Sequence, residues 1–174
     1  AAIEQAAARE PRIVAVLLEV LQGEGGIRPS DKAYLQALRR LCDERGWLLM
    51  IDEVQSGIGR TGKWFAHQWA DIRPDVMTLA KGLAGGVPIG AMAAGGPAAG
   101  VFSPGTHGTP FGGGPLACAA GLAVLDALES EGLLANAHDV GEYLKAGLQA
   151  ELGSLPGAVE VRGRGLTLGV ELAR

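Results

Sequence analysis

Residues 13–20 (IVAVLLEV) form a nearly continuous apolar run with Glu19 near its end. A strand with one wet face would alternate, so this run predicts a strand buried on both faces of a parallel sheet. A glycine-rich turn, Gln22-Gly23-Glu24-Gly25-Gly26, follows it. Beyond the turn the period changes. Tyr34, Leu35, Leu38, Leu41 and Cys42 recur at helical spacing, while Lys32, Arg39, Arg40, Asp43 and Glu44 fall off that stripe. Ser30 is the expected N-cap with Asp31 in the first turn, and Gly46 supplies a left-handed stop. Residues 47–51 (WLLMI) predict a second buried strand that runs out onto Asp52-Glu53. Strand, helix and strand in that order make a right-handed crossover between parallel neighbours.

The pattern then loosens into a loop with Gly57, Gly59 and Gly62 and an aromatic cluster of Trp64, Phe65 and Trp69. Pro74-Asp75 introduces a short third strand over residues 76–79, and Lys81 lies just past its end. Pro115 suits the first position of a helix. Residues 116–128 are apolar on almost every side, which predicts a largely buried helix. A second helix over residues 133–152 carries Val140, Leu144 and Leu148 on one face. Residues 158–161 and 166–172 read as two strands joined across Arg162-Gly163-Arg164-Gly165. The change from α/β alternation to helix plus hairpin predicts a domain transition near residue 130.

Composition narrows the function classes. The 174 residues are 48% hydrophobic and 20% charged, ordinary for a globular protein with a core. The 28 glycines follow no fixed period, which excludes collagen and flexible-linker architectures. A net charge of −4 and the lack of a basic stripe with interleaved aromatics disfavour nucleic-acid binding. Cys42 and Cys118 sit far apart in apolar helical patterns and read as buried free thiols. No run is long enough for a membrane helix, and the Ala-rich opening, with Glu4, Arg9 and Glu10, lacks signal-peptide order, so a cytoplasmic protein is expected. His67, His107 and His138 have neither metal-cluster nor nucleophile–base spacing, and read as surface or structural residues. Both termini read as cut, which implies a longer parent chain.

In open α/β sheets ligands bind at the carboxyl ends of the strands. Three predicted strands bring ionisable groups to that edge: Glu19 and Glu24 after the first, Asp52 after the second, Lys81 after the third. Position alone leaves two explanations open, a binding site or solvated loop charges and structural ion pairs.

The surrounding residues add a family resemblance. Ile51-Asp52-Glu53-Val54-Gln55-Ser56-Gly57, Gly59-Arg60-Thr61-Gly62 and Leu79-Ala80-Lys81-Gly82-Leu83 resemble the signature of the subgroup III (ω-amino acid) aminotransferases. Gln22-Gly23-Glu24-Gly25-Gly26 upstream and His107-Gly108-Thr109-Pro110-Phe111-Gly112-Gly113 downstream extend the match, in order, over nearly the whole chain. Within the family the nearest likeness is to acetylornithine aminotransferases, with ornithine, succinylornithine and 4-aminobutyrate aminotransferases preserving the same motifs. The resemblance implies an α/β pyridoxal-phosphate transferase fold of type I. Residues 1–130 would be the C-terminal half of the cofactor-binding domain and residues 131–174 the start of a small domain. It also implies amino-acid and 2-oxo-acid substrates and a homodimer whose active sites are shared between subunits.

What the resemblance implies for single residues agrees with the chemistry. Transamination uses the pyridine ring of the cofactor as an electron sink, which requires a carboxylate beside the ring nitrogen. Asp52 matches that position. Lys81 matches the lysine that holds the cofactor covalently and moves the proton, a task for an amine whose pKa its surroundings can lower. Val54 matches the residue packed on the ring face, and Gln55 the partner of its phenolic oxygen. Glu24 matches a switch that pairs with a substrate-binding arginine, and Glu19 a residue supporting the network facing the cofactor. Pro110 stands where the family carries the threonine that binds the partner subunit's cofactor phosphate. Proline has neither hydroxyl nor N–H, so that contact would pass to the adjacent Thr109. Val20 replaces a usual proline and Gly114 a common asparagine. The phosphate loop and the stacking aromatic would lie upstream of this sequence, and the α-carboxylate arginine downstream. A truncated paralogue acting as a binding module is the competing expectation.

Overall fold

The computed structural model describes residues 2–173. After a short helix α1 (Ala2–Arg9), the chain enters β1 (Ala15–Leu18), closes a small ladder of β2 (Leu21–Gln22) and β3 (Arg28–Pro29), and continues into α2 (Lys32–Arg45) and β4 (Leu48–Asp52). Next come β5 (Val76–Leu79) and β6 (Ala91–Ala94), then α3 (Pro115–Ser130), α4 (Leu133–Leu152) and the strands β7 (Ala158–Arg164) and β8 (Thr167–Leu172). The main sheet has the order β1-β4-β5-β6, parallel across the first two pairs and antiparallel at β6.

Helix α2 forms where the 3.6-residue stripe places it and buries Leu35, Leu38 and Cys42 against the sheet; Tyr34, on the same expected stripe, stays 48% exposed. Its cap is Asp31 rather than Ser30. Asp31 has extended backbone and its carboxylate accepts the Tyr34 N–H at 3.0 Å, so the residue expected in the first turn closes it from outside. Gly46 ends the helix at φ 67°, as its missing Cβ allows. Strand β4 is central, and Leu49 and Ile51 are fully buried beneath α2.

The start of β5 is fixed by Asp75. Its carboxylate accepts the Leu49 N–H and Arg39 Nη1, each at 2.8 Å, and its own N–H donates to the Leu49 carbonyl at 2.8 Å. That junction ties β4, β5 and α2 together, and so sets how far beyond β4 the end of β5 emerges.

Within the described residues, burial differs from several expectations. Among the described residues β1 pairs with β4, and Val14 and Leu17 are largely exposed. α3 starts at Pro115 as expected, but it buries only Gly121 and Leu128; Leu116 is 77% exposed. Cys118 is exposed, whereas Cys42 is buried, and both are free thiols. α4 docks through Ala137 and Gly141 rather than through Val140 and Leu144, which stay exposed. Contact distance decides this: a Cβ at position 141 would lie 2.3 Å from the Gly165 carbonyl oxygen, so only glycine lets α4 meet the β7–β8 turn. Packing centres the buried stripe on Ala137, Gly141 and the half-buried Leu148, with Val140 and Leu144 at its exposed margin.

Candidate functional site

β4 and β5 run parallel and in register, with Asp52 opposite Thr78, so both strands deliver their last residues to one edge. Lys81 is two residues beyond β5, at the start of a single 3₁₀ turn, Lys81–Ala84, with φ 47°. A lysine in the left-handed region is uncommon and reflects a locally imposed geometry. The amine is exposed and makes no hydrogen bond or ion pair among the described residues. It lines an open cleft of about 390 Å³ with Gln55, Arg60, Ile27 and residues 166–168. The structure therefore joins the end of β5, the loop after β4 and the β7–β8 turn in one depression. Asp52 is half-buried, and its Oδ1 accepts the Val54 N–H at 2.9 Å, folding the chain back so that Val54 and Gln55 follow immediately at the same edge.

The turn of residues 22–26 approaches this edge from the other side. Glu19 Oε2 accepts the Gly23 N–H at 2.7 Å, which shapes the turn, and Glu24 Oε1 accepts Gln55 Nε2 at 3.3 Å. Gly23 lies close against the Gln55 amide: a Cβ there would lie 1.9 Å from Gln55 Oε1. Because that atom ends a flexible side chain, Gly23→Ala is expected to displace the Gln55 amide rather than the backbone. It should cost less than about 1 kcal/mol of stability. Denaturant midpoints of the two proteins would check this, and a larger loss would contradict this account.

Thr109 is not brought to the cleft. It lies in an exposed loop where its Oγ1 accepts the Gly112 N–H at 3.2 Å, beside a 94% exposed Phe111. Arg162 and Arg164, expected in the connection between two strands, lie in β7 and are engaged. Arg164 stacks 4.4 Å over the Trp69 ring, which Lys63 covers at the same distance, and Arg162 reaches the Gly26 carbonyl.

The residue that motif reading passed over is Glu53. It is fully buried and accepts four hydrogen bonds: from Ser56 Oγ at 2.6 Å, the N–H groups of Ala66 at 3.0 Å and His67 at 2.9 Å, and His67 Nδ1 at 3.0 Å. Burial pushes its carboxyl pKa up, but the donors from His67, Ser56 and the backbone outweigh burial and hold it below the ordinary value. Glu53 pins the loop of residues 53–67 beneath Asp52, Val54 and Gln55. His67 is structural, buried and stacked on Phe65. A signal was present: Glu53 is two residues beyond the buried Ile51, so strand alternation points it inward.

No helix among the described residues is long and apolar enough to cross a membrane, and no group of three or more His, Cys, Asp or Glu residues among them is arranged to hold a metal ion.

Comparison with known proteins extends this picture. The family model described as aminotransferase class-III matches residues 1–174. Acetylornithine aminotransferase 1 of Bordetella bronchiseptica is 79% identical over 173 residues, covering 99% of this chain and 44% of that protein. Acetylornithine aminotransferase of Nitrosomonas europaea is 53% identical over 171 residues, 98% of this chain and again 44% of the relative. The chain thus spans less than half the length of these relatives. Among solved structures, acetylornithine aminotransferase from Elizabethkingia anophelis superposes with a TM-score of 0.92 at 35% identity, covering all of this chain and 46% of that one. An ornithine aminotransferase from Plasmodium yoelii gives a TM-score of 0.92 at 36% identity, covering 99% and 46%. The chain belongs to the class-III aminotransferases, pyridoxal-phosphate enzymes of fold type I.

Proposed function

We propose that the protein transfers the δ-amino group of N-acetylornithine to 2-oxoglutarate, giving N-acetylglutamate semialdehyde and glutamate, a step of arginine biosynthesis. The observation that carries this reading is the convergence of Lys81, beyond β5, and Asp52, at the end of the parallel neighbour β4, on one sheet edge. The kinship to acetylornithine aminotransferases supports the choice of donor.

The residues at the edge fit pyridoxal phosphate. A free lysine amine opens onto the cleft, a half-buried carboxylate uses only Oδ1 within the described residues, and Gly23 leaves room for the Gln55 amide. When bound, the cofactor supplies the electron sink for the negative charge that develops on the substrate carbon. Lys81 Nζ would hold the cofactor and, when free, would carry the proton to and from that carbon. The Asp52 carboxylate would keep the ring nitrogen protonated. Val54 would supply an apolar contact to the ring, and Gln55 a hydrogen bond to its phenolic oxygen. Glu24, supported through the turn by Glu19, pairs with the arginine that takes the substrate α-carboxylate and releases it for the dicarboxylate of the second half-reaction.

Residues 1–130 form the C-terminal half of the cofactor domain in this reading, and residues 131–174 begin the small domain. The protein acts in the cytoplasm as a homodimer with shared active sites. The exposed loop of Thr109, which does not line the cleft of its own chain, is consistent with that arrangement: it would reach the cofactor phosphate of the partner subunit.

The test is a donor panel with 2-oxoglutarate as acceptor, using the protein expressed from its complete reading frame. N-acetylornithine is expected to give a higher kcat/KM than ornithine, N-succinylornithine or 4-aminobutyrate. A higher value for any of these three would replace the donor assignment. Failure to take up pyridoxal phosphate, with no turnover of any donor, would favour a binding module.

A further inference from the structure

The hairpin at the end of the chain grips the turn that carries Glu24. Arg162 on β7 donates from Nε to the Gly26 carbonyl at 2.8 Å, 136 residues earlier in the chain. Its Nη1 donates to Glu160 at 2.8 Å and to Glu171 Oε2 on β8. The same Glu171 oxygen accepts Arg28 Nη2 at 3.0 Å, and Arg28 Nε donates to the Gly25 carbonyl at 3.2 Å. Two guanidinium groups joined by one carboxylate therefore hold two successive carbonyls of the turn. The Arg162 side chain is only 11% exposed, unlike an ordinary surface ion pair.

The turn needs such a hold. Gly26 has φ 101° and Ile27 has φ 52°, and a β-branched residue stays in the left-handed region only where its surroundings impose it. Gly169 of β8 provides the room, since a Cβ there would lie 3.0 Å from the Ile27 Cβ. At the other end of the turn, Gly23 is tied to Glu19 and Glu24 to Gln55. The C-terminal hairpin and the edge of the main sheet thus anchor the turn from opposite sides.

We propose that Arg162 and Glu171 are positioning residues for substrate selection, fixing from the hairpin the pose in which Glu24 meets the substrate-carboxylate site. The proposal rests on the aminotransferase function and on the role of Glu24 within it. Glu24 controls access to the carboxylate-binding arginine, so loosening its turn affects recognition of substrate carboxylates more than proton transfer at Lys81. A lysine at position 162 would not replace arginine, because one ammonium lacks the planar fork that spans Gly26 and Glu171 together.

The test is a double-mutant cycle in the protein expressed from its complete reading frame, with KM and kcat measured for N-acetylornithine and 2-oxoglutarate. Arg162→Ala is expected to raise KM for 2-oxoglutarate roughly five- to tenfold, with kcat changed less than about twofold. Arg162→Lys should resemble Arg162→Ala. In a Glu24→Gln background, Arg162→Ala should add almost nothing. Glu171→Gln should act in the same direction, and takes the place of Arg162→Ala in the cycle if that variant does not fold. Full additivity with Glu24→Gln, wild-type kinetics in Arg162→Lys, or a lowered Tm with unchanged KM would each overturn the proposal. If Glu24→Gln itself left KM unchanged, the role of Glu24 would fall and the coupling with it. Absence of turnover in the unmutated protein would instead refute the proposed function.

Discussion

Lys81→Ala, in the protein expressed from its complete reading frame, is expected to lower kcat by on the order of 10⁴-fold or more, because one side chain has two tasks. In the proposed function it holds the cofactor and moves the proton, and no other lysine lines the cleft with it. Lys81→Arg should be nearly as inactive, since a guanidinium with a pKa above about 12 does not give up its proton. Borohydride reduction followed by peptide mapping provides a readout independent of turnover: the cofactor should appear on the peptide containing Lys81 and vanish in both variants. Attachment at another lysine, or activity retained in Lys81→Ala, would remove Lys81 from the mechanism. Neither change should unfold the protein, because the side chain is exposed and unpaired among the described residues.

The second large effect is on stability. Glu53→Ala leaves the donors of Ser56, Ala66 and His67 without their acceptor in a site closed to water. A loss of about 3–5 kcal/mol is expected, and Glu53→Gln should lose less because its carbonyl oxygen still accepts. The pH dependence has a definite sign. The folded carboxyl sits below its value of 4.5 in the unfolded chain, so its stabilisation is complete above pH 4.5 and disappears as pH falls through the lower folded value. Denaturant midpoints measured from neutral pH downward should therefore converge between the parent protein and Glu53→Gln in acid. Parallel curves over that range would show that the buried carboxylate does not contribute in this way. Because Glu53 pins the loop that carries Val54 and Gln55, the Glu53→Ala variant should also bind pyridoxal phosphate less tightly.

These two residues differ in how they can be found. Lys81 and Asp52 are visible in the chain because each ends an apolar run bounded by turn residues, and such runs become strands whose ends share one edge. Glu53 looks like one more charge at the same edge. Its importance comes from donors on residues 56, 66 and 67, which a loop must fold back to supply. Arg162 was harder still. Its partners lie on a turn 136 residues earlier and on the neighbouring strand of its own hairpin, and neither separation leaves a periodic mark.

Local pattern also misjudged burial where the partner mattered. The evenly apolar α3 gave no indication of which face would be covered, and Leu116 stays exposed while Gly121 is buried. In α4 the close approach of Gly141 to Gly165 shifts the buried stripe by a fraction of a turn, towards Ala137, Gly141 and the half-buried Leu148, and leaves Val140 and Leu144 at its margin. Strand β6, built of alanines and one methionine, has no alternation to reveal it and is defined by its antiparallel pairing with β5.

By itself the sequence determined α2, β4 and β5, the positions of Asp52 and Lys81 at their strand ends, and the ordered motifs of an aminotransferase. Those features follow from side-chain periodicity and backbone preference within a few residues of chain. Only the tertiary structure decided that Asp31 caps α2, that Glu53 is the buried centre of the loop, and that Arg162 and Glu171 hold the turn of Glu24. Each depends on which distant group comes within hydrogen-bonding or van der Waals distance, and the packing of the whole chain settles that.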